Sequence, residues 1–211
     1  MDNTQYTYKD SNLYNSRGDA VMMEWEREWM KISADIVCKN GGDVLNIGHG
    51  LGIVDSYIHE NNPKSHWIIE SHPDVHSHMK KNGWYDRANI IESRWQDVVN
   101  SLQSFDGIYF DTWGDSTDDF KNGLLNNLPY ILNKGGIFSS WVNKDTESRT
   151  LNNFCKENNL NIQYEKLELN IPAEQHRRKS GVYINPNLEY VLLPIITNPN
   201  EVKKRPTKNL L

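Results

Sequence analysis

Three acidic side chains and one glycine-rich turn are the groups best placed by type and spacing to do chemistry. Asp43-Val44-Leu45-Asn46-Ile47 is a short apolar run with β-branched residues, and it breaks into Gly48-His49-Gly50-Leu51-Gly52, with glycine at alternate positions. Ile53-Val54-Asp55-Ser56-Tyr57-Ile58-His59 then reads as a helix. Strand, tight turn and helix start form the first unit of a nucleotide-binding α/β domain. Glycines let backbone approach a ligand where a Cβ would clash, and a helix start offers N–H groups to a polar or anionic ligand. A tight turn with no ligand is the plain alternative. Ser65-His66-Trp67-Ile68-Ile69-Glu70 is a second strand ending in an acid. That acid follows the glycines by about 20 residues, where such folds bind ribose hydroxyls.

Asp111 is the second acid. It ends the apolar run Asp106 to Asp111 and opens Asp111-Thr112-Trp113-Gly114-Asp115. Ligands of open α/β sheets bind outside the carboxyl ends of strands, so Asp111 is placed to face a substrate, or else to cap a helix. Glu26 is the third. Ala20 to Cys38 reads as a helix in which Met22, Glu26 and Met30 recur every fourth residue beside Trp25, Trp29 and Ser33. Glu24, Glu28, Lys31 and Asp35 form a separate polar stripe. Glu26 thus falls on the apolar face, where a carboxylate needs a partner: an arginine elsewhere, or a cationic substrate. Arg94-Trp95-Gln96-Asp97 offers an aromatic and a polar side chain past the third strand. They suit an adenine, or a Trp that anchors a helix. His176-Arg177-Arg178-Lys179 is a charge run, solvated or turned toward an acidic group. His72, His76 and His78 have irregular spacing and no converging ligand set, so no metal site is expected.

The elements that must position these groups alternate. Strands are predicted at Asp43–Ile47, His66–Glu70, Asn89–Glu92, Asp106–Asp111, Gly136–Val142, Ile162–Leu169 and Glu189–Ile196. Helices are predicted to His59, around Asp74–Lys81, Gln96–Leu102, Phe120–Leu132 and Glu147–Asn158. Alternation predicts a mostly parallel sheet with helices on both faces. The last two strands, joined by a long loop from Pro172 to Asn187, should pair antiparallel. Residues 1–19 form a polar arm with Tyr6, Tyr8 and Tyr14, either loose or laid over something, and the tail from Asn198 reads as a solvated end.

The 211 residues suit one domain, 1–211, with a full core. A net charge of −5 and a pI of about 5.8 give no sign of nucleic-acid binding. Cys38 and Cys155 make neither a disulfide framework nor a metal cluster. The polar start is not a signal peptide and no apolar run is long enough to span a bilayer, so a cytoplasmic protein is expected. The sequence leaves the oligomeric state open.

Val21 to Glu26, Val44 to Gly50, His66 to Glu70, Trp95-Gln96-Asp97 and Phe105 to Thr112, in this order and spacing, resemble guanidinoacetate N-methyltransferase. They also resemble its relative, the fungal protein-arginine methyltransferase of the internal (delta) guanidino nitrogen. The likeness covers Ala20 to Trp141. It implies the seven-stranded Rossmann-like sheet of class I methyltransferases, preceded by an N-terminal helix that caps the substrate, with S-adenosylmethionine as cofactor. Glu70 would hold the ribose, and Trp95 and Gln96 the adenine, with Ser71 and His72 also at the cofactor site. Gly50, Leu51, Gly52, Ile53 and Val54 would hold the amino-acid portion, with Met22 and Met30 lining the site and His49 and Asp111 also at the cofactor. Glu26 and Asp111 fall on the family's two guanidine-binding carboxylates. The chain departs from the pattern at His49, where Phe is usual, at Gln96, where an acid is usual, and across Val142-Asn143-Lys144-Asp145. With no ankyrin-like region before the domain, a small guanidino carboxylic acid is the expected substrate, its carboxylate met by Lys144 or by Arg177 and Arg178. A peptide or protein arginine is the alternative. A nicotinamide dehydrogenase would need a further substrate domain, and a non-catalytic cofactor-binding protein would not need both carboxylates.

Overall fold

The computed structural model describes residues 5–112, 116, 118–141, 145–168, 177–178, 181–182 and 190–205. The chain opens with a small antiparallel sheet, β1 (Thr7–Lys9), β2 (Asn12–Tyr14) and β3 (Ala20–Met22), in the order β1-β2-β3. Asp10 and Ser11 make the β1–β2 turn with φ of 49° and 60°. A 3-10 turn (Glu24–Glu26) leads into α1 (Arg27–Cys38). The α/β region follows as β4 (Asp43–Ile47), α2 (Ile53–Glu60), β5 (Ser65–Glu70), α3 (Pro73–Lys81), β6 (Asn89–Glu92), α4 (Trp95–Val98) and β7 (Phe105–Phe110). A π-helical turn (Asp119–Leu125) runs into α5 (Asn126–Ile131), then β8 (Leu132–Ser140), α6 (Asp145–Asn158) and β9 (Asn161–Glu168). A short antiparallel pair, β10 (Arg177–Arg178) and β11 (Gly181–Val182), precedes β12 (Tyr190–Thr197).

The main sheet has seven strands in the order β6-β5-β4-β7-β8-β12-β9. The first five are parallel, and β12 inserts antiparallel between β8 and β9. The alternation anticipated the parallel part of this sheet, and the seven strands with an antiparallel end are the arrangement the resemblance implies. Its central strands carry Val44, Leu45, Ile47, Ile68, Ile69 and Ile108, each at most 2% exposed, as strands covered on both faces require. One face packs on α1 and α2 through Trp29, Met30, Val37, Val54 and Ile58, with Ile68 extending it under Val75 and Met79 of α3. The other packs on α4, α5 and α6 through Trp95, Leu128, Ile131, Leu151 and Phe154. A Cβ on Gly107 would meet the Val37 carbonyl oxygen at 2.1 Å, so its absence lets α1 lie against β7.

Two expectations change. Ala20–Cys38 is not one helix, because Met22 pairs with Leu13 and Ala20 with Tyr14 in the small sheet, and helix geometry starts only after Met23. The fourfold Met/Glu spacing is real, but a long-range strand pairing overrides it over the first residues. The tail is also tied down: the Lys203 N–H donates to the Pro129 carbonyl, and Arg205 bonds Asn100, Asn127 and the Val99 carbonyl while lying over the Tyr130 ring. No helix among the described residues is long and apolar enough to cross a membrane.

Candidate active site

The site is built where β4, β5, β7 and β8 end side by side. Gly48, Gly50 and Gly52 all take positive φ, at 97°, 55° and 72°. A Cβ on Gly48 would sit 2.0 Å from the Asp111 carbonyl oxygen, so the turn and the end of β7 touch backbone to backbone. The Asp111 N–H donates to the Ile47 carbonyl at 3.0 Å, which continues the β4–β7 ladder one residue past the strand. Asp111 therefore leaves the sheet on the same face as Tyr109, by the strand's period of two.

Glu70 closes the other side of the turn. Its Oε2 accepts the His49 N–H at 2.9 Å, and its Oε1 accepts the N–H groups of Ser71 and His72 at 2.7 and 2.8 Å. These occupy three of the roughly four lone-pair positions of a carboxylate and leave one on the turn side for a hydroxyl. The Leu51 N–H points at the Met22 thioether, 3.3 Å away, a weak acceptor that a ligand oxygen readily replaces. The arm is laid over this region. Tyr8 donates its hydroxyl to the Gly50 carbonyl, the Tyr6 N–H donates to Asp74, and the Tyr6 and Tyr8 rings stack on His72 and His78 with centroids 3.7 Å apart in both pairs.

Glu26 is 4% exposed. Its Oε1 accepts the Met23 N–H at 2.8 Å, which caps the turn into α1 and fixes where the carboxylate lies. Asp111 is half-buried, and burial pushes its carboxyl up to about 6. Tyr109, fully buried between β7 and α1, lies near both: burial first, then the charges of Asp111 and Glu26, hold its phenol well above the ordinary range. Its hydroxyl is 3.6 Å from the sulfur of Met30. The structure thus brings Glu26, Met30, Tyr109 and Asp111 together beneath the glycine turn.

Trp95 is 4% exposed, with its ring edge-on to Phe110 at 5.6 Å and against the position a Cβ of Gly123 would take. It anchors α4 in the core, while Gln96 beside it keeps part of its side chain toward solvent. The three histidines are each engaged. His72 caps α3 by accepting the Asp74 N–H, His76 bonds the Glu70 carbonyl and the Tyr85 hydroxyl, and His78 stacks on Tyr8. Trp113, Lys144 and His176 lie outside the described residues, and of Arg177 and Arg178 only the backbone is described.

A buried network supports the turn from below and was not singled out in the sequence. Asp55 accepts from Nδ1 of His49 at 2.6 Å, Nε2 of His66 at 2.9 Å and the Asn46 amide at 2.9 Å, all buried. Burial alone raises a carboxyl, but the two histidines overcome it and hold Asp55 at about 2. The signal was present in the period-two alternation of His66 with Ile68, and in Asp55 lying three residues before Ile58 on the buried side of α2.

Residues 2–175 match the family described as guanidinoacetate N-methyltransferase. The chain belongs to that family. Curated relatives of this guanidinoacetate N-methyltransferase family member include protein arginine N-methyltransferase 2 of Candida glabrata, 42% identical over 149 residues, which are 65% of this chain and 36% of that protein. The protein of the same name from Yarrowia lipolytica is 33% identical over 189 residues, 80% of this chain and 40% of that one. The chain spans two fifths or less of the length of these relatives. Among solved structures, the N-methyltransferase NodS of Bradyrhizobium japonicum superimposes with a TM-score of 0.58 at 15% identity, over 83% of this chain and 97% of that one. Aeropyrum pernix fibrillarin with bound S-adenosyl-L-methionine gives 0.56 at 13% identity, over 92% and 83%. These two likenesses concern the fold.

Proposed function

We propose that this family member is an S-adenosylmethionine-dependent N-methyltransferase acting on the guanidino group of arginine within a peptide or protein. The observation that carries the reading is a pair of carboxylates, Glu26 and Asp111, whose charges both act on the buried Tyr109, with the Asp111 backbone touching a glycine turn that ends against an acid-tipped strand. The name shared by the fungal relatives, protein arginine N-methyltransferase, moves the substrate away from the small guanidino acid expected from the sequence and toward arginine in a polypeptide. A small guanidino acid stays as the second reading, favoured by the family's own description. One methyltransferase unit spanning 1–211, set in the cytoplasm, belongs to the same proposal. Two buried free cysteines suit a reducing compartment.

The cofactor fits the residues present. Glu70 keeps a lone pair for a ribose hydroxyl, Gln96 borders the adenine position beside the Trp95 anchor, and the backbone from His49 to Val54 offers the helix start to a carboxylate. Met22 and Met30 line the space between turn and acids. When bound, the cofactor supplies an electrophilic sulfonium methyl group. A guanidinium, with a pKa above about 12, has no nucleophilic lone pair in water. Glu26 and Asp111 grip its planar N–H fork and fix one nitrogen in line with the methyl. As the new N–C bond would form and the S–CH3 bond break, releasing S-adenosylhomocysteine, that nitrogen would become acidic and a carboxylate would take its proton. Asp111, at about 6, is ionised at neutral pH yet basic enough for the task.

Labelled S-adenosylmethionine offered with arginine peptides, free arginine, agmatine and guanidinoacetate tests the substrate class by mass spectrometry. Methyl transfer to arginine peptides in preference to the three small compounds is expected. Transfer only to the small compounds would replace the polypeptide reading with the second one.

A further inference from the structure

Beyond the acid pair, the end of the sheet carries an aromatic wall. Phe110 of β7 pairs in parallel register with Ser140 of β8, and Tyr109 with Ser139. Asp111 and Trp141 therefore emerge as neighbours, one strand spacing of about 5 Å apart, on the face that carries Tyr109. Trp141 joins the apolar cluster of Met22, Trp29, Met30 and Tyr109. Its ring stacks on Trp29 with centroids 6.1 Å apart and planes 28° from parallel, and Trp29 meets Trp25 edge-on at 5.2 Å. Trp29 lies three residues after Glu26, one turn along the same helical start. Both acids are thus bordered by this indole wall.

The wall has unused capacity. Trp29 is 3% exposed while Trp141 keeps part of its surface open. The indole N–H groups of Trp29 and Trp141 and the hydroxyl of Ser140 are buried and find no partner among the described residues. A guanidinium carries no acceptor for these donors, so what the wall offers it is the open indole face of Trp141 at the end of β8, with Trp29 of α1 behind it. A guanidinium held edge-on by two carboxylates still has two flat faces to desolvate, and an indole face is the strongest side-chain partner for one of them.

We infer that Trp141, backed by Trp29, is a specificity-determining residue that covers one face of the substrate guanidinium and selects this planar, delocalised cation over a compact ammonium. The inference rests on the guanidino reading above. It also deepens that reading, since two acids alone attract any cation, whereas a flat aromatic wall rewards a flat one.

The test uses the full chain with Trp141→Phe and Trp141→Leu. Equilibrium binding of an arginine peptide and of its lysine counterpart is measured calorimetrically with S-adenosylhomocysteine present, and KM and kcat are measured with S-adenosylmethionine. Trp141→Leu is expected to weaken arginine-peptide binding and raise KM about tenfold or more, the order of a desolvated cation–π contact. Lysine-peptide binding, cofactor binding and kcat should each change by less than about threefold, and Trp141→Phe should recover most of the lost affinity. Unchanged arginine binding in Trp141→Leu overturns the inference, as does equal loss for both peptides or for the cofactor, which would mark Trp141 as a packing residue only. A wild-type chain that binds the arginine peptide but methylates no guanidine refutes the proposed activity while leaving the wall to be judged by the binding data. A wild-type chain that binds no guanidine overturns both.

Discussion

Replacing Asp111 by Asn should make the protein more stable and stop it working. In the folded chain, burial keeps the Asp111 carboxyl protonated up to about pH 6, against the usual 3.8. Between those values the folded state binds more protons than the unfolded state, so stability falls as pH rises through that window, and the full cost is present above pH 6. At about 1.4 kcal/mol per pH unit the window amounts to about 3 kcal/mol. Asp111 retains some contact with water, which screens part of this, so Asp111→Asn should stabilise the chain by about 1–3 kcal/mol at pH 7.5. Under the proposed function the same carboxylate must be ionised to hold a guanidinium. Wild-type kcat/KM should therefore fall as pH drops below about 6, and kcat should fall at a lower pH, because bound cation favours the charged form. In Asp111→Asn that acid limb should vanish and turnover should drop about a hundredfold or more, with cofactor binding kept. Urea unfolding followed by tryptophan fluorescence, run beside the pH–rate profile, provides both readouts. A variant that is less stable than wild type at pH 7.5, or a wild-type profile flat between pH 5 and 7, would refute the reasoning.

Glu70→Ala should weaken S-adenosylmethionine binding by about 1–3 kcal/mol, roughly five- to 150-fold in Kd by calorimetry. It should also lower the urea midpoint, because three backbone N–H groups lose their acceptor; an unaltered Kd would remove Glu70 from the cofactor site. Asp55→Ala strands the donors of His49, His66 and Asn46 and should cost about 3–5 kcal/mol of stability, the order for breaking a buried charged network. Held at about 2 when folded, Asp55 contributes stability above pH 3.8 that disappears as pH falls through 2, so the acid-unfolding transition should flatten in the variant. A loss below about 1 kcal/mol would mean the network is weaker than its geometry implies.

The sheet was legible because its strands are buried on both faces and bounded by turn residues. β4 and β6 begin and end where the apolar runs do, and the antiparallel β12 follows from the missing helix before it. The glycine turn and the positions of Glu70 and Asp111 were legible for the same reason, since strand ends and tight turns are written locally. What failed to show was set by distant contacts. Val21 and Met22 sit in a helical spacing, yet Leu13 captures Met22 into a strand pair that no local pattern reveals. Trp95 carried two readings, and its packing against Phe110 and Gly123 is visible only in three dimensions. The Asp55 network joins three elements, so each member alone looks like an isolated polar residue in an apolar run. Tyr8 reaches Gly50 across 42 positions of sequence, and its part in covering the turn is visible only in three dimensions.

The central claim is that Glu26 and Asp111 together hold a guanidinium for methylation. Its most direct test is tandem mass spectrometry of an arginine peptide after reaction with isotope-labelled S-adenosylmethionine, using wild type, Glu26→Gln and Asp111→Asn, each first shown to bind the cofactor. The account predicts one labelled methyl on a guanidino nitrogen with wild type, and about a hundredfold less product with either variant. Label on any other atom, or wild-type rates in either variant, would contradict it.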